Sequence, residues 1–212
     1  LCCTYNDCSQ SLSLDSSCHG YEMILVNRVA NHRVHQKILL RELEGLKETE
    51  DTRLPHNLTG IAASTQSIDT VHSDFHLPKD MPRLYLDYFY SDVIADTMTA
   101  IGTSLGLNIQ VDFDWDIHNT WFQQYYEHGE HYWHSHPLCN FTNVYFLELP
   151  DTVYRTEILD RHGEPIDYNA VEGDVLTFPG WMRHRSSPLG KGRKTVISFN
   201  SSFSLKRKMS EE

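Results

Sequence analysis

The sequence lacks an apolar stretch near the roughly 20 residues that a membrane-spanning helix needs, so we expect no membrane partner. Basic residues are scarce: 18 Lys and Arg stand against 29 Asp and Glu, a formal net charge of −11. Nucleic-acid binding depends on a positive patch, and the one evident Lys/Arg cluster is 206–208. We therefore expect no nucleic-acid partner. The first twenty residues lack the long apolar run of a secretory signal, which favours a cytoplasmic protein.

Cysteine is rare beyond those first residues. Four of the five cysteines fall within residues 1–20, and Cys139 is the fifth. The spacing C-C-x4-C-x9-C matches no common zinc pattern. We therefore predict a poorly ordered leader over 1–20 with free thiols, in keeping with a reducing compartment.

The remaining chain is long enough for one domain with a substantial core. We predict a single domain over 21–205, with helical support over 21–106 and a metal-binding core over 107–205. Residues 206–212 are predicted to form a solvated tail.

Helical and strand patterns separate at about residue 107. Apolar residues recur near helical spacing in 32–47 and 88–105, whereas 21–27 is strand-like and 48–80 is a polar loop. Beyond residue 107, short strand-like runs alternate with Gly and Pro turns: 109–113, 119–126, 141–149, 152–159, 174–178 and 195–203. This pattern predicts a mainly β fold, a sandwich or jelly roll braced by the N-terminal helices.

Histidine is abundant, with 13 in the chain, and His134 and His136 form the most informative pair. Side chains at i and i+2 of a strand share a face, about 7 Å apart along the backbone, so both imidazoles could bind one metal ion. His184, after an apolar strand and a Pro-Gly turn, is the candidate third ligand. Such a set leaves positions on Fe(II) for a co-substrate and O2. We interpret His128 and His131 as ordinary surface or core histidines, although either could lie at the rim and contact substrate.

A cation ten residues after His184 adds a second binding element. Lys194 opens an apolar run, where it could hold a carboxylate deep in the barrel. Burying a lone cation is costly, and a permanent anionic partner would remove that cost. Arg193 is the rival, because a guanidinium binds carboxylates in bidentate fashion. Tyr125 and Gln123 share one strand face and are candidates for a hydrogen bond to the same ligand.

Residues 119–203, about 40% of the chain, resemble the iron(II)/2-oxoglutarate-dependent oxygenase superfamily. The similarity is closest to a phage and bacterial branch with an H-x-H-P motif. The matching pieces occur in the expected order: 121–125 (WFQQY), Gly129, 134–137 (HSHP), 144–147 (VYFL), 172–179 (EGDVLTFP), 184–186 (HRS) and 193–200 (RKTVISFN).

The resemblance implies a double-stranded β-helix, a form of jelly roll, that binds Fe(II) and decarboxylates 2-oxoglutarate to succinate. It matches His134 and His184 to the two histidine ligands of the family. It also matches Lys194 to the basic residue that holds the distal carboxylate of 2-oxoglutarate, and Arg193 is one step off that register.

One position departs from the family pattern. The superfamily usually has Asp or Glu two residues after the first histidine ligand, where this chain has His136. Three neutral imidazoles leave Fe(II) at +2 instead of +1, which makes the metal more electrophilic. The sequence predicts a dioxygenase, a hydroxylase of a small-molecule or side-chain substrate. Two alternatives stay open: a cupin-like three-His metal enzyme that uses no 2-oxoglutarate, and a non-catalytic jelly-roll binding module.

Overall fold

The structure, a computed structural model, describes residues 23–53, 70–108 and 112–206. The predicted leader over 1–20 lies outside these ranges. So do all but the first residue of the predicted tail and parts of the predicted segments 21–27, 48–80 and 109–113.

The described residues contain nine strands: β1 Leu25–Arg28, β2 Val71–Ser73, β3 Phe113–Tyr125, β4 His131–His134, β5 Phe141–Glu148, β6 Thr156–Ile158, β7 Asp174–Pro179, β8 His184–Ser186 and β9 Lys194–Leu205. They form two antiparallel sheets. The larger has the order β1-β7-β5-β9-β3-β2, and the smaller has the order β4-β8-β6. The chain is thus mainly β, with the antiparallel sheets of a jelly-roll-like fold.

The described residues contain three α-helices, all before β3: α1 His32–Thr49, α2 Leu84–Asp92 and α3 Ile94–Ser104. The prediction of a single helix over 88–105 is wrong in extent. The chain leaves helical geometry at Val93 (φ −120°, ψ −42°), after Asp92, and both residue types have modest helix propensity. In the described ranges, no helix has the length and apolar character needed to cross a membrane.

The larger sheet separates two apolar clusters. On its outer side, Leu39 and Leu43 of α1 and Phe89 of α2 are fully buried with residues of the sheet. On its inner side, apolar residues of the larger sheet pack with Ile158 of the smaller sheet. Alternation along β9 assigns Val196 to the inner cluster and Ile197 and Phe199 to the outer one, because successive side chains of a strand face opposite ways.

Two predicted segments differ from the structure. The run 152–159, predicted as a strand, begins with a 3₁₀ turn at Thr152–Tyr154, and β6 follows it. The Asp151 carboxylate accepts a hydrogen bond from the Val153 amide (2.9 Å), a local turn interaction typical of Asp. Within the predicted loop 48–80, β2 pairs with the end of β3, but its three residues are too short to give a strand pattern.

Candidate metal centre

The three predicted metal ligands come together where the small sheet ends. His134 on β4 and His184 on β8 are cross-strand partners. His136 lies two residues beyond the end of β4, and its backbone amide donates to the Gly180 carbonyl (2.7 Å). A Cβ on Gly180 would lie only 2.5 Å from the His136 carbonyl oxygen, so this close approach requires glycine. One ring nitrogen from each histidine lies within 4.8 Å of the others.

The hydrogen bonds of these rings leave one nitrogen of each ring available to bind a metal. His134 Nδ1 donates to the Tyr132 carbonyl (2.7 Å), and His184 Nδ1 donates to the Met182 carbonyl (3.1 Å). A carbonyl can only accept, so the proton of each ring is on Nδ1 and the Nε2 lone pair is free. His136 Nε2 is buried without a hydrogen-bond partner. A divalent transition metal would satisfy all three nitrogens, so the residues fit such an ion.

Burial keeps these imidazoles neutral. It is the largest cause of the lowered pKa at His134 and His184, and it lowers the pKa of His136 to about 4. The neighbouring histidines act in the same direction at His136 and His184. Neutral imidazole is the form that binds metals, so the site is ready for a metal at neutral pH.

Lys194 and the three histidines line one cavity. Lys194 is 1% exposed, and its Nζ donates to Ser186 Oγ on β8 (2.9 Å). Nζ also lies 5.2 Å from the ring centroid of Tyr125, whose pKa is raised by burial. Among the described residues, no carboxylate oxygen lies within 4.0 Å of Nζ. Desolvation lowers the pKa of this ammonium to about 7, and the Glu157 carboxylate, which makes no direct contact with Nζ, acts in the opposite direction.

Arg193 points the other way. Its Nε and Nη2 each donate to Glu148 (2.8 Å), and its Nη1 donates to Glu44 on α1 (2.6 Å). These contacts occupy the guanidinium on the outer side of the sheet. The cavity is lined by Lys194 and not by Arg193.

None of the described residues that line the cavity is acidic, although the chain carries a net charge of −11. Its polar lining comes from histidine, amide, hydroxyl and cationic side chains. The lining includes Trp121, Gln123, Tyr125, His131, His134, His136, Thr142, Thr156, His184, Arg185, Ser186, Lys194 and Ser198.

Sequence reasoning missed His131. His131 and His134 are three residues apart, so strict strand alternation would put them on opposite faces. The pairing is irregular: His131 is opposite Ser186 and His134 opposite His184, so a step of three residues on β4 meets a step of two on β8. This bulge turns His131 into the cavity, where its ring centroid lies 4.1 Å from that of His134. A bulge leaves no periodic signal in a sequence.

Comparisons with known proteins find structures that are similar to this chain in fold. No family model matches the chain, and no curated protein matches it. A 2OG-Fe(II) oxygenase family oxidoreductase from Burkholderia pseudomallei is 14% identical, with 58% of each chain covered and a TM-score of 0.47. A prolyl-4-hydroxylase from Pseudomonas putida is 13% identical, with 89% of this chain and 94% of that chain covered and a TM-score of 0.53.

A third structure is the viral collagen prolyl hydroxylase of Paramecium bursaria Chlorella virus-1, solved in complex with 2OG. It is 10% identical, with 87% of this chain and 98% of that chain covered and a TM-score of 0.52. The present chain therefore spans just over half of the Burkholderia protein and nearly all of the two hydroxylases. At these identities, the likeness to the two hydroxylases establishes a shared fold.

Proposed function

We propose that this chain is an Fe(II)/2-oxoglutarate-dependent dioxygenase, a hydroxylase, and that its fold is a double-stranded β-helix braced by the N-terminal helices. The observation that carries the proposal is the buried Lys194 ammonium, which has no carboxylate partner among the described residues and shares a cavity with three neutral imidazoles. A buried cation is expected to be paired. Its partner is therefore expected to be an anionic ligand that enters the cavity.

Each residue of the cavity then has a role. His134, His136 and His184 would hold Fe(II), each through Nε2. Bound iron would supply O2 activation, coupled to conversion of 2-oxoglutarate to succinate and CO2 while one oxygen atom enters the substrate. Lys194 would bind the distal carboxylate, and Ser186 would fix the position of its Nζ. Burial of Tyr125 against Nζ keeps water away from this ion pair.

The charges support a ligand with two carboxylates. Fe(II) with three neutral imidazoles keeps its charge of +2, and Lys194 adds one more positive charge. A diacid that chelates at one end and meets Lys194 at the other offsets two of these three charges, and none of the described residues that line the cavity is acidic. Arg185 also lines the cavity, but its charge is paired with Glu157 (2.8 Å). The fold shared with a hydroxylase solved in complex with 2OG also favours this ligand.

We propose a small-molecule or side-chain substrate, together with O2, and a cytoplasmic location. A second cavity adjoins His136, and its lining includes His118, Asn119, Leu138 and Cys139. It offers a route by which a substrate could approach the metal without passing Lys194. The placement in the phage and bacterial branch rests on the H-x-H-P motif at 134–137.

The test is succinate formation by purified protein supplied with Fe(II), 2-oxoglutarate and ascorbate, which uncoupled turnover should allow even without a substrate. At a 2-oxoglutarate concentration near the wild-type Kd, Lys194→Met should strongly reduce succinate formation, whereas Lys191→Met should not, because Lys191 is an exposed lysine outside the cavity. Wild-type protein that binds Fe(II) tightly but neither binds 2-oxoglutarate nor forms succinate would contradict the proposal.

A second candidate is a cupin-like metal enzyme that uses no 2-oxoglutarate. The all-histidine ligand set favours it, because His136 replaces the acid of the oxygenase pattern. This candidate predicts metal-dependent turnover of some substrate with no effect of 2-oxoglutarate. A non-catalytic module instead predicts purified protein without metal.

A further inference from the structure

We infer that His131 is a further binding residue of this site: its neutral imidazole donates a hydrogen bond from Nε2–H to the anionic ligand that lies between the metal ligands and Lys194. The inference rests on the proposed function, since 2-oxoglutarate is taken as that ligand. It assigns a role to a side chain that the metal and Lys194 do not account for.

The position of His131 favours contact with the ligand. The β4 bulge turns its ring into the cavity, stacked on His134 with an interplanar angle of 30°. It lines the same cavity as Lys194 and Ser186. His131 is opposite Ser186 in the β4–β8 pairing, and Ser186 is the residue that Lys194 Nζ contacts. A ligand that reaches from His134 to Lys194 therefore passes His131.

Gln123 determines which nitrogen of His131 carries the proton. Gln123 Nε2 lies 3.1 Å from His131 Nδ1. An amide NH₂ can only donate, so Nδ1 accepts and the proton must be on Nε2. This tautomer is the reverse of the one found at His134 and His184, where Nδ1 donates to a carbonyl. The metal ligands thus offer lone pairs, whereas His131 offers an N–H group.

The remaining partner of this N–H group must accept a hydrogen bond. Within the described part of the chain, Gln123 is the one hydrogen-bond partner of His131, and it uses Nδ1. The ionisable side chains around the ring, His134, His136 and Lys194, are bases, and the described part of the chain contributes no carboxylate to the cavity lining. A ligand carboxylate supplies the missing acceptor, in a region where positive groups favour an anion.

Calorimetric titration of Ni(II)-loaded full-length protein with 2-oxoglutarate tests the inference. His131→Phe keeps a planar ring but removes the donor, and it should weaken 2-oxoglutarate binding roughly 10- to 100-fold, the range for a hydrogen bond to a charged group. His131→Gln retains an N–H donor and should recover most of the loss. Gln123→Met removes the hydrogen bond that fixes the tautomer of His131, and it should weaken 2-oxoglutarate binding less than His131→Phe does. The exposed control His162→Phe should bind like wild type.

Two further readouts separate a binding role from a structural one. Affinity for Ni(II) itself should be unchanged in His131→Phe, because His131 is not a metal ligand. Nitrogen-15 spectra of the zinc-loaded protein should show His131 protonated at Nε2 in wild type and as a mixture of tautomers in Gln123→Met.

The outcomes are distinguishable. Wild-type protein that binds nickel but not 2-oxoglutarate overturns the proposed function and the inference together. Wild type that binds 2-oxoglutarate, with His131→Phe binding it equally well, overturns the inference alone. Loss of nickel affinity in His131→Phe, or a wild-type His131 protonated at Nδ1, also overturns the inference alone.

Discussion

Near the start of β9, the positive side chains on the two faces of the larger sheet have opposite surroundings. On the outer face, Arg193 is paired with Glu148 and Glu44, so its charge is balanced within the protein. On the inner face, the adjacent Lys194 is buried against Ser186 and Tyr125 with no carboxylate within 4.0 Å in the described residues. The outer cation is neutralised within the fold, whereas the described residues supply no such partner for the inner cation.

The largest expected effect is on the inner face, at the metal ligands. His184→Ala should lower metal affinity by at least about 100-fold, because changing a residue that merely orients a ligand already costs about 10- to 100-fold. Calorimetric titration with Ni(II) or Co(II) measures the loss. His162→Ala, at an exposed histidine, is the matched control. Unchanged affinity in His184→Ala would remove His184 from the site.

Substitutions of Arg193 and Lys194 should change the free energy of unfolding in opposite directions. Lys194→Met replaces a buried, unpaired cation with an apolar side chain of similar length, so the free energy of unfolding of the ligand-free protein should rise by about 1 kcal/mol or more. Arg193→Met leaves Glu148 without its cation and Glu44 with Lys47 alone, and it should lower the free energy of unfolding by about 1–2 kcal/mol. Urea unfolding of both variants measures the change.

The same two substitutions should differ in their effect on 2-oxoglutarate binding. Lys194→Met should weaken 2-oxoglutarate binding by about 10- to 100-fold, through loss of a charge-assisted contact, while Arg193→Met should leave it nearly unchanged. If both variants lost stability and both bound 2-oxoglutarate normally, the contrast between the two faces would be wrong.

A pH dependence follows from the depressed pKa of Lys194. Its pKa is about 7 in the folded protein and about 10.4 in an unfolded chain. Between these values the unfolded state binds more protons, so the free energy of unfolding should rise with pH from about 7 to about 10, by at most about 1.4 kcal/mol per pH unit. Below pH 7 the penalty is fully present. Unfolding of ligand-free wild type and Lys194→Met at several pH values isolates this component, which the variant should lack.

The smallest expected effect lies at the exposed end of the outer network. Glu44 contacts Arg193 and Lys47, but its side chain is 42% exposed, and water screens such pairs. Glu44→Gln should lower the free energy of unfolding by less than about 1 kcal/mol and leave 2-oxoglutarate affinity unchanged. A change in ligand affinity would show that the two faces are coupled through β9.

The sequence predicts the histidine cluster because its geometry depends on local rules. His134 and His136 obey the i, i+2 parity of extended chain, and His184 follows an apolar strand that returns to the same place. The choice between Lys194 and Arg193 is harder, because adjacent residues of a strand face opposite sides and the sequence does not show which side is inner. Glu44, which pairs with Arg193, is 149 residues away in the chain.

The incorrect predictions share a physical cause: short-range exceptions to regular structure. The break at Val93 divides one helical pattern into two helices, and the turn around Asp151 replaces half of a predicted strand. Strand β2, with three residues, is defined by its pairing with β3 and not by its own pattern. Low helix propensity at 92–93, a side-chain hydrogen bond at Asp151 and a pairing distant in sequence at β2 each override the periodicity that the prediction used.

The β4 bulge makes the orientation of His131 depend on strand register as well as on residue identity. His131 and His134 face one cavity although they are three residues apart, because the bulge accommodates one surplus residue on β4. If the same residues paired regularly, every histidine would be retained and one of the two would still turn outward. Deleting Tyr132 or Trp133 would instead give an i, i+2 spacing, which places both rings on one face without a bulge. We therefore expect both rings to reach the cavity in a variant with a one-residue deletion in this segment.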